Sequence, residues 1–217
     1  MISGISIAEL SHGLIFFIIL VCSLALHEWG HAIMADKLGD DTPRSQGRVT
    51  TNPLVHIDPL GTILIPLLGA FGFFGSFAMI GWAKPIYTNP SNFRRGMYDQ
   101  AWVTIAGPGV NFFLALIAVI AAAVADRFSW GIGPLLIKIY SINISLVVFN
   151  LLPIPPLDGS KFLMYWFGMS EESYARFSTW GGVVLLVLIN ISAFRAFVGF
   201  LIGLASVPFN LLYGIIA

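Results

Sequence analysis

The string His27-Glu28-Trp29-Gly30-His31 follows directly on an apolar run from Leu14 to Leu26. Two imidazoles and a carboxylate are costly in a hydrocarbon setting unless they bind something or line a cavity. On a helix, residues four apart share a face, so His27 and His31 can offer two ring nitrogens to one metal ion, with Glu28 beside them. Zinc in catalytic sites takes three protein ligands and keeps a fourth position for water. Glu28 is then the candidate general base. The motif therefore asks for a helix at membrane depth, a metal ion and a route for water.

Composition agrees with the membrane setting: 57% of the residues are hydrophobic and 10% charged, against roughly 25% charged in soluble domains. The chain is expected to be an integral membrane protein in contact with the lipid bilayer. Eleven basic residues balance eleven acidic ones, so no basic surface points to nucleic acid. The lone Cys22 rules out an internal disulfide framework and a cysteine metal site. Met1 to Leu10 lacks a charged n-region and no small-residue cleavage signal follows, so the first helix is expected to be retained.

In chain order, the first helix is expected from about Ser11 to Leu38, stopped by Gly39-Asp40-Asp41-Thr42-Pro43. From Gln46 to Ile57, β-branched residues interleave with polar ones and read as one or two short extended segments. Such a segment could serve as a template strand or be a simple surface loop. Thr62 to Trp82 is apolar but broken by Pro66, Gly69, Gly72, Gly75 and Gly81; it is long enough to span, or could re-enter beneath a protein cover. Lys84 to Gln100 is a polar connection. Ala101 to Ala125 reads as a membrane helix with small residues for close packing, and its Asn111 either bonds to another helix or meets substrate. Pro134 to Leu152 is a further apolar helix. Trp180 to Ala193 and Phe197 to Ile216 form one or two closing membrane segments, with Arg195 between them.

The third metal ligand has one good candidate. Pro153, Pro155 and Pro156 forbid a helix and deliver Asp158 from an irregular segment. Taken alone, Asp158 would be an ordinary turn aspartate before Gly159; beside the His pair it becomes a ligand. His56 is either a replacement ligand, a substrate contact or a loop histidine that caps. His12 reads as interfacial.

A shared metal ion also fixes topology. His27 and His31 lie toward the far end of the first helix and Asp158 just past the end of the one beginning at Pro134, so an odd number of crossings must separate these two helices. Ala101 to Ala125 supplies one, and Thr62 to Trp82 is therefore expected to re-enter. With re-entry, Lys37, Arg44, Arg48, Lys84, Arg94, Arg95, Lys161 and Arg176 share the metal's face, leaving Arg127, Lys138 and Arg195 on the other. The positive-inside rule then makes the metal's face cytoplasmic.

His27-Glu28-Trp29-Gly30-His31, Gly107-Pro108 with Asn111, and Asn150-x-x-Pro153-x-Pro155-x-x-Asp158-Gly159 together resemble the site-2 protease family of intramembrane zinc metalloproteases. The resemblance covers Leu14 to Gly159, about two thirds of the chain. It implies a three-helix catalytic core, to which the residue-by-residue reading adds a short extended segment, a re-entrant Gly-rich stretch and one or two C-terminal membrane segments, so the expected fold is an all-α polytopic membrane protein. One membrane protease domain is expected over residues 1–217, with its core at 11–160 and closing segments at 180–217. One zinc ion per chain would be held by His27, His31 and Asp158, with Glu28 as base and Asn111 and Asn150 orienting substrate or stabilising the oxyanion. Substrates would be transmembrane proteins or peptides cut within or near their membrane segments, in the plasma membrane of a prokaryote. PDZ and CBS domains, which many relatives carry, are not expected within these 217 residues.

The rival reading is a non-proteolytic zinc-binding membrane protein, a transporter or a pseudoprotease. A transporter should place further ionisable residues along a path, and few follow His31 within the apolar stretches; a pseudoprotease breaks the constellation, which is complete here. No motif specifies an oligomeric state.

Overall fold

The computed structural model describes residues 7–70 and 82–217. The chain is all-helical there, with no strand among the described residues. Four helices among them are long and apolar enough to cross a membrane, over Leu10–Leu38, Met97–Arg127, Gly133–Asn150 and Ser192–Ile216. The elements are α1 (Ile7–Leu38), α2 (Thr42–Ser45), α3 (Ile65–Ala70), α4 (Met97–Arg127), α5 (Gly133–Asn150), α6 (Phe162–Phe167), α7 (Glu171–Asn190) and α8 (Ser192–Ile216).

α1 ends where glycine permits it. Gly39 adopts a φ of 113°, and the amides of Gly39 and Asp40 turn back to the carbonyls of Asp36 and Ala35, a Schellman closure. Asp40 is fully buried just beyond. Its carboxylate accepts from the Thr42 amide and hydroxyl, the Asn89 amide and the Asn92 side chain. One carboxylate thus ties the end of α1 to the segment that leads into α4.

α1 and α4 run antiparallel: His27 meets Asn111, whereas His31, one turn on, meets Val103. Small residues allow the approach. A Cβ at Gly30 would stand 2.8 Å from the carbonyl oxygen of Ala106. On its other side α4 buries Ala115, Ala118 and Val119 against Tyr140 and Ile144 of α5 and Phe209 of α8. Tyr213 hydrogen-bonds Asp126, and Arg127 donates to the carbonyl of Ile216, so α8 ends beside the C-terminus of α4.

Residues 71–81, the middle of the stretch expected to re-enter, lie outside the described residues. The two flanks of that stretch meet: the Trp82 amide donates to the Gly61 carbonyl at 3.1 Å, and the Thr62 hydroxyl to the Trp82 carbonyl at 2.7 Å. Flanks joined this way cannot stand on opposite sides of a hydrocarbon core roughly 30 Å thick.

Two expectations need correction. Gln46 to Ile57 forms turns rather than extended segments. The Asn52 side chain accepts from Leu54 to cap the short 3-10 turn Pro53–Val55, Thr50 accepts from the Asn52 amide, and Arg48 clamps the Val55 carbonyl. Side-chain to backbone bonds of this kind outcompete the strand preference of Val49, Thr51 and Val55. The second correction concerns Arg195. Gly181 of α7 lies against the Pro155 carbonyl, and Leu185 packs with Leu152 and Leu157, beside Phe194 and Val198 of α8. α7 therefore stays at the Asp158 end of the bundle, and Arg195, in the first turn of α8, stays with it.

Single cysteines at Ser45, Asn92, Ser173 and Ser192, in a Cys22→Ala background, should react with an impermeant thiol reagent from one side of the membrane and a cysteine at Ser129 only from the other. Opposite labelling of the Ser173 and Ser192 positions would make α7 a crossing helix.

A second expectation concerns acid. Burial opposes ionisation of Asp40, but its four hydrogen bonds prevail and hold the carboxyl below its ordinary range. A lowered folded-state pKa gives stability that is present above the unfolded value of about 4 and fades as pH falls through the folded one. Asp40→Asn should cost about 1–3 kcal/mol at neutral pH, and thermal melts in detergent should show the gap from wild type closing below about pH 4.

Candidate metal centre

The geometry starts from the outer nitrogens of the two histidines. His31 Nδ1 donates to the Val103 carbonyl at 2.7 Å. A carbonyl can only accept, so Nδ1 carries the proton and Nε2 keeps a lone pair. Asn111 does the same for His27: its Oδ1 accepts from His27 Nδ1 at 2.6 Å, while its Nδ2 donates to Asn143 Oδ1 at 2.8 Å. Asn143 in turn donates to the Ser23 hydroxyl at 3.0 Å. These polar groups are all buried, and each satisfies the next.

The two Nε2 atoms face each other at 3.0 Å, and each lies 3.1 Å from Asp158 Oδ2. Ligand atoms held tetrahedrally at about 2.0–2.1 Å from zinc stand roughly 3.3–3.4 Å apart, so the triangle is within a few tenths of an ångström of a zinc site. His27, His31 and Asp158 also offer one ligand atom each within 4.8 Å of one another. Space for the ion is kept by Gly107. A Cβ there would fall 2.7 Å from His27 Nε2 and closer still to His31 Nε2, so any side chain would fill the cradle. Two neutral imidazoles, one carboxylate and a reserved space fit a zinc ion.

Asp158 arrives on the short 3-10 turn Asp158–Lys161, after the Pro153–Pro156 loop. Burial works against its charge, but the imidazoles of His31 and His27, when protonated, and the ammonium of Lys161 overrule it, and the carboxyl is held well below the usual carboxylate range. It is ionised, as a ligand must be. Glu28 is half-buried on α1.

Among the other residues read as functional, Asn111 is fully buried, with its Oδ1 on His27 and its Nδ2 on Asn143, a bond to other helices. Asn150 donates to the Leu146 carbonyl of its own helix at 3.0 Å and does not join the triangle. His56 is buried and bonds the Thr50 carbonyl through Nε2, outside the His27–His31–Asp158 group. His12 meets Lys138 at 3.0 Å. Asn143, Ser23 and Lys161 have no functional assignment from sequence, and Gly107 only one in helix packing, although an asparagine inside the apolar helix at 143 is itself a signal of a buried polar network.

The sequence model of Peptidase family M50 matches residues 118–189, a range that includes Asp158. The chain is 38% identical over 154 residues to a Bacillus subtilis (strain 168) protein named "Putative zinc metalloprotease YwhC", which covers 67% of this chain and 66% of that protein. It is 28% identical over 197 residues to "Putative zinc metalloprotease Rip2" of Mycolicibacterium smegmatis, covering 87% of this chain and 72% of that protein. The Rip2 protein of Mycobacterium tuberculosis is 28% identical over 162 residues, 73% of this chain and 60% of that protein. The chain thus spans about two thirds of the length of these relatives. No solved structure matches it.

Gly107→Ala should raise intrinsic helix propensity yet abolish stoichiometric zinc, as should Asp158→Ala, whereas His56→Ala should keep it. Metal analysis of the purified variants is the check; full zinc in Gly107→Ala would show that the ion sits elsewhere.

Proposed function

The chain belongs to Peptidase family M50, the site-2 protease family, and on that premise we propose that it hydrolyses peptide bonds within or near the transmembrane segments of membrane proteins. The observation that carries the reading is the convergence of two His Nε2 atoms and one Asp Oδ2 at 3.0–3.1 Å inside a bundle of membrane-length helices. Hydrolysis there serves substrates that soluble proteases cannot reach.

In this reading His27, His31 and Asp158 hold zinc, which when bound supplies Lewis acidity and brings the pKa of a coordinated water close to neutrality. Glu28 accepts the proton of the attacking water and returns it to the leaving amine. Asn111 and Val103 hold the imidazoles in the tautomer that leaves each Nε2 free. A substrate helix must unwind first, because its hydrogen-bonded backbone hides the scissile carbonyl. The turns at Gln46–Ile57 do not present a strand for that backbone to pair with.

The site lies near one membrane face: seven residues separate His31 from Leu38 at the end of α1, about 10 Å of helix. Moving Arg195 to that face leaves nine of the eleven basic residues on it and only Arg127 and Lys138 on the other. This asymmetry supports a cytoplasmic active site, and the bacterial sources of the relatives support a prokaryotic plasma membrane.

Glu28→Gln should retain zinc and fold but lower cleavage by roughly 10²–10⁴-fold or more. The direct comparison is of membrane peptides from cells carrying the intact protein or the variant, with zinc content measured on both purified proteins. Equal cleavage by the two would remove Glu28 as the base.

A further inference from the structure

Asp158 turns only one of its oxygens to the histidines, and a second side chain takes the other. Lys161 Nζ lies 3.0 Å from Asp158 Oδ1, while Oδ2 is the atom shared by His27 and His31. The two residues sit three apart on the turn Asp158–Lys161, a spacing that eclipses side chains in a 3-10 geometry. The lysine's neighbouring phenols are committed elsewhere: Tyr165 to Thr104 at 3.3 Å and Tyr174 to Ser160 at 2.9 Å. Among the described residues, Asp158 is the one carboxylate paired with Lys161.

We infer that Lys161 is a positioning residue of the metal centre: by donating to Oδ1 it fixes the plane of the Asp158 carboxylate, so that Oδ2 alone points between His27 and His31. The inference rests on the metalloprotease reading and adds to it. Rotation about the last torsion of an aspartate is soft, and a carboxylate carried on an irregular loop could otherwise present either oxygen, or both, to the ion. The histidines have their own orienting partners in Asn111 and Val103. Lys161 completes the set, so that each of the three ligands has a partner for its other polar atom.

The sign of the effect separates positioning from charge. An ammonium group beside a dication repels it, so if Lys161 acted through charge alone, its removal would tighten metal binding. If it orients the ligand, its removal weakens binding by about 10–100-fold.

The test uses the full chain in detergent, with zinc affinity read by chelator competition and the ligand field read from the visible spectrum of the Co²⁺-loaded protein. Lys161→Met should bind zinc about 10–100-fold more weakly and show shifted Co²⁺ bands. Lys161→Arg, which keeps a donor for Oδ1, should restore both affinity and spectrum. Unchanged or tighter binding in Lys161→Met, with the wild-type spectrum, would overturn the inference. Should Lys161→Met fail to fold, Lys161→Gln, whose shorter amide falls short of Oδ1, is judged by the same two measurements. A wild-type chain that takes up no zinc would sink the metalloprotease reading itself; a zinc-binding wild type matched by its Met variant would sink only the role of Lys161.

Discussion

An Asp158 oxygen 3.1 Å from two imidazole nitrogens, all three residues buried, is the contact on which the arrangement of helices depends. In a low-dielectric interior every polar atom brought to such a place must find a partner or impose a penalty of several kcal/mol. The chain answers with a relay. His27 Nδ1 is met by Asn111, Asn111 by Asn143, and Asn143 by Ser23. This relay joins α1, α4 and α5, so the requirement to satisfy one histidine becomes a requirement on the packing of three helices.

Side-chain volume decides whether that packing is possible. Gly30 lets the α4 backbone approach α1 at the level of the motif, and Gly107 presents no atom toward the two Nε2 positions. Pro108, which follows, removes an amide and so frees the carbonyl of Thr104 from its place in the helical ladder. Larger residues at 30 and 107 would separate the helices or fill the cradle, and the outer nitrogens would then lose Asn111 and Val103. Small residues here act as geometry for the ligands as much as for helix association.

Much of this was legible in the sequence because it rests on short-range rules. The i, i+4 spacing of His27 and His31 needs only helical periodicity, and the prolines before Asp158 need only their own stereochemistry. The demand that one ion be shared gave the parity of crossings, and the joined flanks at Gly61, Thr62 and Trp82 agree with it. What escaped depends on partners chosen in three dimensions. Asn111 carried two readings because an amide says nothing of what it will meet. Gln46–Ile57 has the β-branched content of a strand, yet Asn52 and Thr50 bond their own backbone. Trp180–Ala193 and Phe197–Ile216 read as one or two closing segments, but Trp180–Asn190 continue a helix begun at Glu171, whose contacts with Pro155 and Leu157 hold it at one end of the bundle.

The two halves of the centre are built differently, and their separation in sequence explains why. His27 and His31 sit on one long helix, where a single turn sets their spacing before any tertiary contact forms. Asp158 is 127 residues beyond His31 and must be brought back by α4, α5 and a proline loop, at an entropic cost that grows only slowly with loop length. Once there it is held by a local fit: Leu157 is buried with Leu152 and Leu185, and a Cβ at Gly159 would collide with the Leu151 carbonyl. The packing of α5, the loop and α7 together thus holds the carboxylate beside the histidines. The two imidazole nitrogens and the Asp158 oxygen come together only in the assembled bundle, so a metal site built on them would be complete only when its surroundings are in place.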